Sequence, residues 1–453
     1  MPAFCFPRRL KTTRRVAANT SVPNAGCIES SRREGTAMVH VLKNSWALMA
    51  GMLLLMVGNG LNGTLLGVRG AIEGFDAKTM SFVMSAYFVG FLGGSRMAPG
   101  MIRRVGHIRV FAALGSLISA AFILYAAWPD PAAWIAMRLV VGFSFSGIYV
   151  VAESWLNDAA TNETRGQTLS AYLIMQMIGI VAAQTLLNFA DASGYELFVV
   201  MSVLVSLSFL PILLSVSPAP VYALTKPMTL SKLFEVSPLG CVGTFLLGSI
   251  FSALFGMSPV YATERGMDVS DISVFIAAIY VGGMLWQYPL GWLSDKMDRR
   301  VLISGITAAG ALVILIALPF TGDFVVVLVL AFVIGGIANP LYSLLIAYTN
   351  DYLDNEDMAA ASGGLIFISG LGAIAGPVMV GWMMSKFGSD SFFYFLAALM
   401  AAIAGYGAFR MTRRSRAEVE TTTYHPVNPQ ASPVAVAVAQ EVAVDEAMEE
   451  ETA

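Results

Sequence analysis

Twelve apolar stretches, each of the order of the roughly 20 residues that a helix needs to cross a bilayer, restrict what this chain can fold into. They run over about 46–68, 80–99, 109–128, 132–153, 167–188, 196–214, 237–258, 272–292, 301–320, 324–347, 360–384 and 392–409. Short turns rich in charge, Pro or Gly separate them. With 57% hydrophobic residues, 13% charged residues and a mean hydropathy of +0.69, the chain carries too much apolar surface for a water-soluble domain. The expected fold class is therefore an all-α polytopic membrane protein, because helices satisfy their own backbone groups in lipid.

The net charge of −3 averages positions on opposite faces of a membrane, but the distribution of charge is informative. If the N-terminus is cytoplasmic, 21 of the 27 Lys and Arg residues fall on the cytoplasmic side and four outside (Arg69, Lys78, Arg265 and Lys386). The remaining two, Arg96 and Arg138, lie inside apolar stretches. This bias predicts that both termini are cytoplasmic.

The chain is also duplicated. Residues 76–110 lie over 268–302 at a constant offset of 192, pairing Asp76 with Asp268, Ser81 with Ser273, Ala86 with Ala278, Val89 with Val281 and Gly90 with Gly282. A second block, at offset 193, pairs Gly142 with Gly335, Tyr149 with Tyr342, and Asn157-Asp158 with Asn350-Asp351. The expected organisation is a cytoplasmic N-terminal tail (1–45), a six-helix bundle (46–214), a linker (215–236), a second six-helix bundle (237–410) and a disordered C-terminal tail (411–453). Duplicated halves of this kind suit secondary transporters, which open a site at the repeat interface to each side in turn.

Several local patterns carry little chemistry. Gly58-Asn-Gly60-Leu-Asn-Gly63 has the spacing of a dinucleotide-binding loop but sits in an apolar span with no preceding strand. It reads as close-packing surface, as do Gly90-xxx-Gly94 and Gly372-xxx-Gly376. Cys5, Cys27 and Cys241 form neither a disulfide framework nor a metal cluster. The glycosylation sequons at Asn19, Asn62 and Asn162 fall in a tail, a span and a cytoplasmic loop. Residues 1–37 have no signal-peptide core and read as a dispensable tail, with Met38 as an alternative start and a transit peptide as another reading.

Between spans eight and nine runs Gly291-Trp-Leu-Ser-Asp295-Lys296-Met-Asp-Arg299-Arg300. This resembles the loop signature of the major facilitator superfamily, as do twelve spans in two halves; the resemblance covers about 46–410. It implies two pseudo-symmetric six-helix bundles and charged contacts from Asp295, Lys296, Arg299 and Arg300 to neighbouring helix ends, with a purely topological role for the basic residues, holding the loop inside, as the alternative. Asp298 stands where the signature has Gly, and the first-half counterpart has Arg103 in place of Asp. Asn162-Glu163-Thr-Arg165-Gly166 is similar to another family loop, which adds Arg165 to the gating candidates. Arg138-xxx-Gly142 resembles the pattern of proton-coupled members, and the Ala152–Asn157 stretch resembles the uncharacterised YcaD-type branch.

A charged residue within a span is a functional candidate by default. Arg138, whose repeat partner is Ala331, is assigned to substrate binding or coupling, with snorkelling to the outer surface as the alternative. Arg96 and Glu153 are expected to pair on the inward gate, since a lone buried charge is costly, with two charges reaching the headgroup region independently as the alternative. The family's cavity-lining spans imply the substrate candidates Asn59, Asn62, Tyr87, Ser146, Tyr149, Gln176, Gln287, Asn339 and Tyr342. Each has helix-to-helix hydrogen bonding as its bland alternative. Their amides and phenols suit a polar solute with an apolar part. No Asp or Glu sits at the centre of a span, leaving Glu153, or Glu73 and Asp76, as the nearest titratable groups.

These readings converge on a multi-pass protein of the bacterial inner membrane that moves a small organic solute by alternating access. Proton coupling and export are preferred, with facilitated diffusion as the alternative and a non-transporting receptor as the reading from another class. Expected partners are the solute, protons and the lipid bilayer, with no nucleic acid, and the expected state is a monomer. No cofactor, metal or enzymatic activity is implied.

Overall fold

The computed structural model describes residues 25–160, 164–214, 228–413 and 424–452. Cys5 and Asn19, the Asn162 loop, linker residues 215–227 and residues 414–423 lie outside the described residues. The first bundle comprises α1 (Ala25–Ile72), α2 (Ala77–Val105), α3 (His107–Ala127), α4 (Pro131–Ala159), α5 (Arg165–Leu186) and α6 (Glu196–Leu214). A short helix α7 (Leu230–Val236) leads into the second bundle. There α8 (Pro238–Ser252) and α9 (Ser258–Glu264) make one span, followed by α10 (Val269–Ser294), α11 (Arg299–Ala317), α12 (Phe324–Asn350), α13 (Asn355–Phe387) and α14 (Ser391–Met411). A final helix, α15, covers Pro433–Thr452.

Eleven of the described spans are long and apolar enough to cross a membrane on composition alone. The other, α2, is 29 residues long but carries Ser, Gly and Arg because it packs between α4 of its own bundle and α13 of the other. The helix of the first span begins at Ala25, well before the apolar run starts.

The repeated glycines explain why the duplication is legible. In α2, Gly90 faces the Leu139 carbonyl, and Gly142 of α4 faces the Tyr87 carbonyl so closely that a Cβ would collide with the oxygen. Their repeats do the same in α10 and α12: Gly282 against the Phe332 carbonyl and Gly335 against the Ile279 carbonyl. Backbones can approach this closely only where no side chain intervenes. Gly372 and Gly376 likewise meet the Phe245 and Ser249 carbonyls of α8, so that segment is a packing element. The turns repeat as well, with Gly74 and Gly266 at φ 79° and 72°, left-handed values that glycine adopts without a Cβ penalty.

The bundles meet tightly at the end away from the chain termini. Gly67 packs on Pro259, Gly381 on Ser81, the Ser85 hydroxyl donates to the Ile374 carbonyl at 2.6 Å, and Asn188 Nδ2 donates to Ser273 Oγ at 3.1 Å. At the opposite, terminal end Arg96 of α2 still reaches Phe367 of α13, but a gap remains between Glu153 of the first bundle and Ser343 and Asn350 of the second. That gap is filled by the chain itself, in a departure from the expected disordered tail: Val427, Ala431, Ala435, Val436 and Ala439 are buried. The physical reason is composition, because residues 431–444 are largely Val and Ala and gain from leaving water.

Candidate functional site

Between the bundles lies a cavity lined by Asn59 and Thr64 of α1, Tyr87 of α2, Arg138 of α4, Gln184 of α5, Tyr280 of α10 and Asn339 of α12. Phe251 and Phe255 close one side, their rings 4.3 Å apart, and Phe255 meets Tyr280 at 4.7 Å. Phe255 and Gly256 belong to a single π-helical turn, Ala253–Met257, which joins α8 to α9. A π-turn widens the helix locally and recurs at functional sites. Here it brings both residues to the cavity wall.

Arg138 is 6% exposed and does not snorkel. Its Nη2 contacts the Met84 sulfur at 2.9 Å and its guanidinium stacks 5.1 Å from the centre of the Tyr87 ring. Among the described residues its Nε has no hydrogen-bond partner and no carboxylate forms an ion pair with it. A cation desolvated in this way carries a cost that no carboxylate among the described residues offsets.

Of the other predicted substrate residues, Asn59, Tyr87 and Asn339 line this cavity, although Asn339 also donates to the Gly335 carbonyl at 3.3 Å. Asn62 is buried away from it, both amide atoms without partners among the described residues. Ser146 is packed beside Gly94 in the contact between α2 and α4. Tyr149 is buried below the cavity, its hydroxyl donating to the Met56 sulfur at 3.5 Å. Tyr342 is fully buried. Gln176 and Gln287 meet the C-terminal segment: Asn428 Nδ2 donates to Gln176 Oε1 at 3.3 Å, and Gln287 neighbours Tyr424.

Sequence reasoning missed Gln184, which accepts from Thr64 Oγ1 at 2.9 Å, together with Tyr280, Phe251 at the end of α8 and Phe255 of the π-turn. A polar Gln in an apolar span was the available signal for the first. The π-turn had none, since Ala253–Met257 reads as ordinary apolar helix.

The gating residues fall into two groups. Arg96 and Glu153 are not paired: Arg96 is exposed, 4.5 Å from the centre of the Phe367 ring on α13, whereas Glu153 is buried and accepts the Ser432 N–H at 2.8 Å. Arg96 reaches across to the second bundle whereas Glu153 faces the C-terminal segment, so each charge has found a different partner. Arg165 pairs with Glu441 at 2.8 Å. At the start of α11, Arg299 is buried against Asp351 at the end of α12, with Asp295 3.5 Å away. Arg300 pairs with Asp298 at 2.7 Å, and Lys296 sits 3.8 Å from the centre of the Trp292 ring. Burial raises the Asp295 carboxyl above its ordinary range, opposed by the N–H of Tyr424, which donates to it at 2.9 Å, and by Arg299.

A family model described as Major Facilitator Superfamily matches residues 47–320 and 240–437. The chain is 24% identical over 362 residues to an uncharacterised MFS-type transporter, YcaD, of Escherichia fergusonii, covering 78% of this chain and 92% of that one. It is 26% identical over 364 residues to an uncharacterised MFS-type transporter of Enterobacter sp. (strain 638), covering 79% and 92%. Among solved structures, the nucleoside transporter NupG superposes with a TM-score of 0.65 at 15% identity, covering 82% of this chain and 99% of that one. A bacterial homologue of the lysosomal transporter Spinster, in an inward-facing and unoccupied conformation, superposes with a TM-score of 0.62 at 14% identity, covering 89% and 98%. The duplicated twelve-span fold and the matched models agree: the chain belongs to the major facilitator superfamily, a family of non-enzymatic membrane transporters, and is of the YcaD type within it.

Proposed function

We propose that this protein is a proton-coupled secondary transporter for a small organic solute that carries an anionic or acceptor-rich group. The observation that carries the reading is Arg138, a buried guanidinium beside the central cavity with no carboxylate partner among the described residues. An anion arriving there would recover part of the desolvation cost of the lone charge. Asn59, Gln184 and Asn339 supply directional hydrogen bonds around it. Phe251, Phe255 and Tyr280 offer aromatic faces to an apolar part of the solute.

The excess of basic residues at the terminal end supports a cytoplasmic assignment for that end. The cavity is then closed toward the outside, one half of an alternating-access cycle. Glu153 is the buried carboxylate proposed to carry the coupling proton. It lies 15 residues beyond Arg138 on α4, about 22 Å along the helix, so the coupling site is placed near the cytoplasmic mouth.

Purified full-length protein in proteoliposomes, offered a panel of organic anions, zwitterions and neutral solutes with and without a pH gradient, tests this reading. Saturable uptake of an anionic solute that responds to the gradient is expected. Uptake indifferent to the gradient would remove proton coupling and leave facilitated diffusion. A panel in which only neutral solutes move would remove the role given to Arg138.

A further inference from the structure

We infer that the vestibule at the terminal end is a binding groove whose occupant is the chain's own segment Tyr424–Glu441, and that this segment is an inhibitory plug. It enters beside α10, where the Tyr424 ring covers Gly291 and its N–H donates to Asp295 Oδ1 at 2.9 Å. The N–H of Val427 then donates to Ser343 Oγ of α12 at 2.8 Å, and Ser343 Oγ lies 3.3 Å from the Val427 carbonyl. At its deepest point the segment turns, with the Ala431 N–H donating to the Asn428 carbonyl at 2.8 Å. The Asn428 and Gln430 side chains there form part of the lining of the central cavity.

From the turn the segment climbs back out as α15. Glu153 accepts the Ser432 N–H just ahead of the first helical residue, a position where negative charge also favours the helix dipole. Ala435 and Val438 are buried facing Leu156, Thr168 and Leu169 of α4 and α5 across a small cavity. Gln440 Nε2 donates to Asn350 Oδ1 at 2.9 Å, and Glu441 pairs with Arg165.

The partners alternate between bundles. Glu153, Gln176 and Arg165 belong to the first, while Asp295, Ser343 and Asn350 belong to the second. A segment that bridges both halves and fills the space between them opposes any closure of this end. Alternating access therefore requires the segment to leave before the cavity can open to the other side. Occupancy of the groove is independent of the transporter reading. Only its consequence for flux rests on that reading.

The test uses the full-length chain with its three native cysteines replaced by alanine and a single reporter, Ser343→Cys, beneath the plug. Maleimide labelling is compared with and without two further changes in the plug, Val436→Asp and Ala439→Asp, at positions buried against the groove. Placing carboxylates there should expel the segment and speed labelling at least about tenfold, since reactivity follows the population of the open form. Lys386→Cys, exposed at the far end, should react at the same rate in both backgrounds and so reports that the fold is intact. Equal Ser343→Cys labelling with and without the plug substitutions, fast or slow, would overturn the inference. In proteoliposomes, flux should rise severalfold when the plug is loosened, and unchanged flux of a transported solute would remove its inhibitory role. If labelling differs as expected but no solute moves in either form, the groove stands and the transporter reading falls.

Discussion

Arg299 offers a sharp contrast between two ion pairs made by one side chain. Toward Asp351 the pair is sealed, with side-chain exposures of 2% and 7%, and the guanidinium also donates to Ser294 Oγ at 3.2 Å and the Ala347 carbonyl at 3.3 Å. Toward Asp295 the separation is 3.5 Å and the carboxylate is 39% exposed. Replacing Arg299 by Leu deprives the buried Asp351 carboxylate of its guanidinium, a loss of about 3–5 kcal/mol. The Asp295→Asn variant keeps an acceptor for Tyr424 and removes a charge that burial already disfavours, a change within about 1 kcal/mol of zero. Equilibrium unfolding in mixed detergent micelles, followed by the fluorescence of the seven tryptophans, measures both. The double variant Arg299→Leu/Asp351→Leu should recover most of the loss, because it leaves no isolated charge. Equal losses for Arg299→Leu and Asp295→Asn, or a double variant worse than the Arg299 single, would refute this division.

Other consequences are as direct. Gly142→Ala and Gly335→Ala should each cost about 1–3 kcal/mol because the added methyl strikes a carbonyl of the neighbouring helix. Gly305→Ala, where nothing lies within 4 Å of the added carbon, should cost nothing in the same unfolding assay. Asp76 caps α2 by accepting the Thr79 N–H at 2.9 Å, and hydrogen bonds from the Thr79 side chain and backbone hold its carboxyl below the usual range. Since the folded value is depressed, this stabilisation is present above the unfolded value of about 3.9 and is lost as pH falls through the folded one. Asp76→Ala should therefore cost about 0.5 kcal/mol at pH 7, the low end for an exposed cap, with the difference from the parent vanishing in acid.

What the sequence disclosed follows from how each feature is encoded. Close helix crossings demand glycine, so Gly90, Gly142, Gly282 and Gly335 left the duplication visible as an offset. Arg138 was legible because a charge in an apolar span is conspicuous, and three of its expected neighbours, Asn59, Tyr87 and Asn339, do share its cavity. Tyr342 and Ser146 do not, because a polar residue at the right depth can still face a neighbouring helix. The pairing of Arg96 with Glu153 failed because helix proximity does not fix which bundle a side chain reaches: Arg96 crosses to Phe367 and Glu153 meets Ser432. The Val/Ala-rich C-terminal segment looked disordered because its partners, spread from Glu153 to Asn350, come together only in the folded vestibule.

In the proposed mechanism Arg138 reads the solute from within the central cavity. Its most direct test is uptake of an anionic solute by proteoliposomes holding the parent protein, Arg138→Lys or Arg138→Ala. Saturable uptake is expected in the parent, weakened uptake with Lys, whose point charge replaces a planar fork, and background uptake with Ala. Parent-level uptake by Arg138→Ala would contradict it.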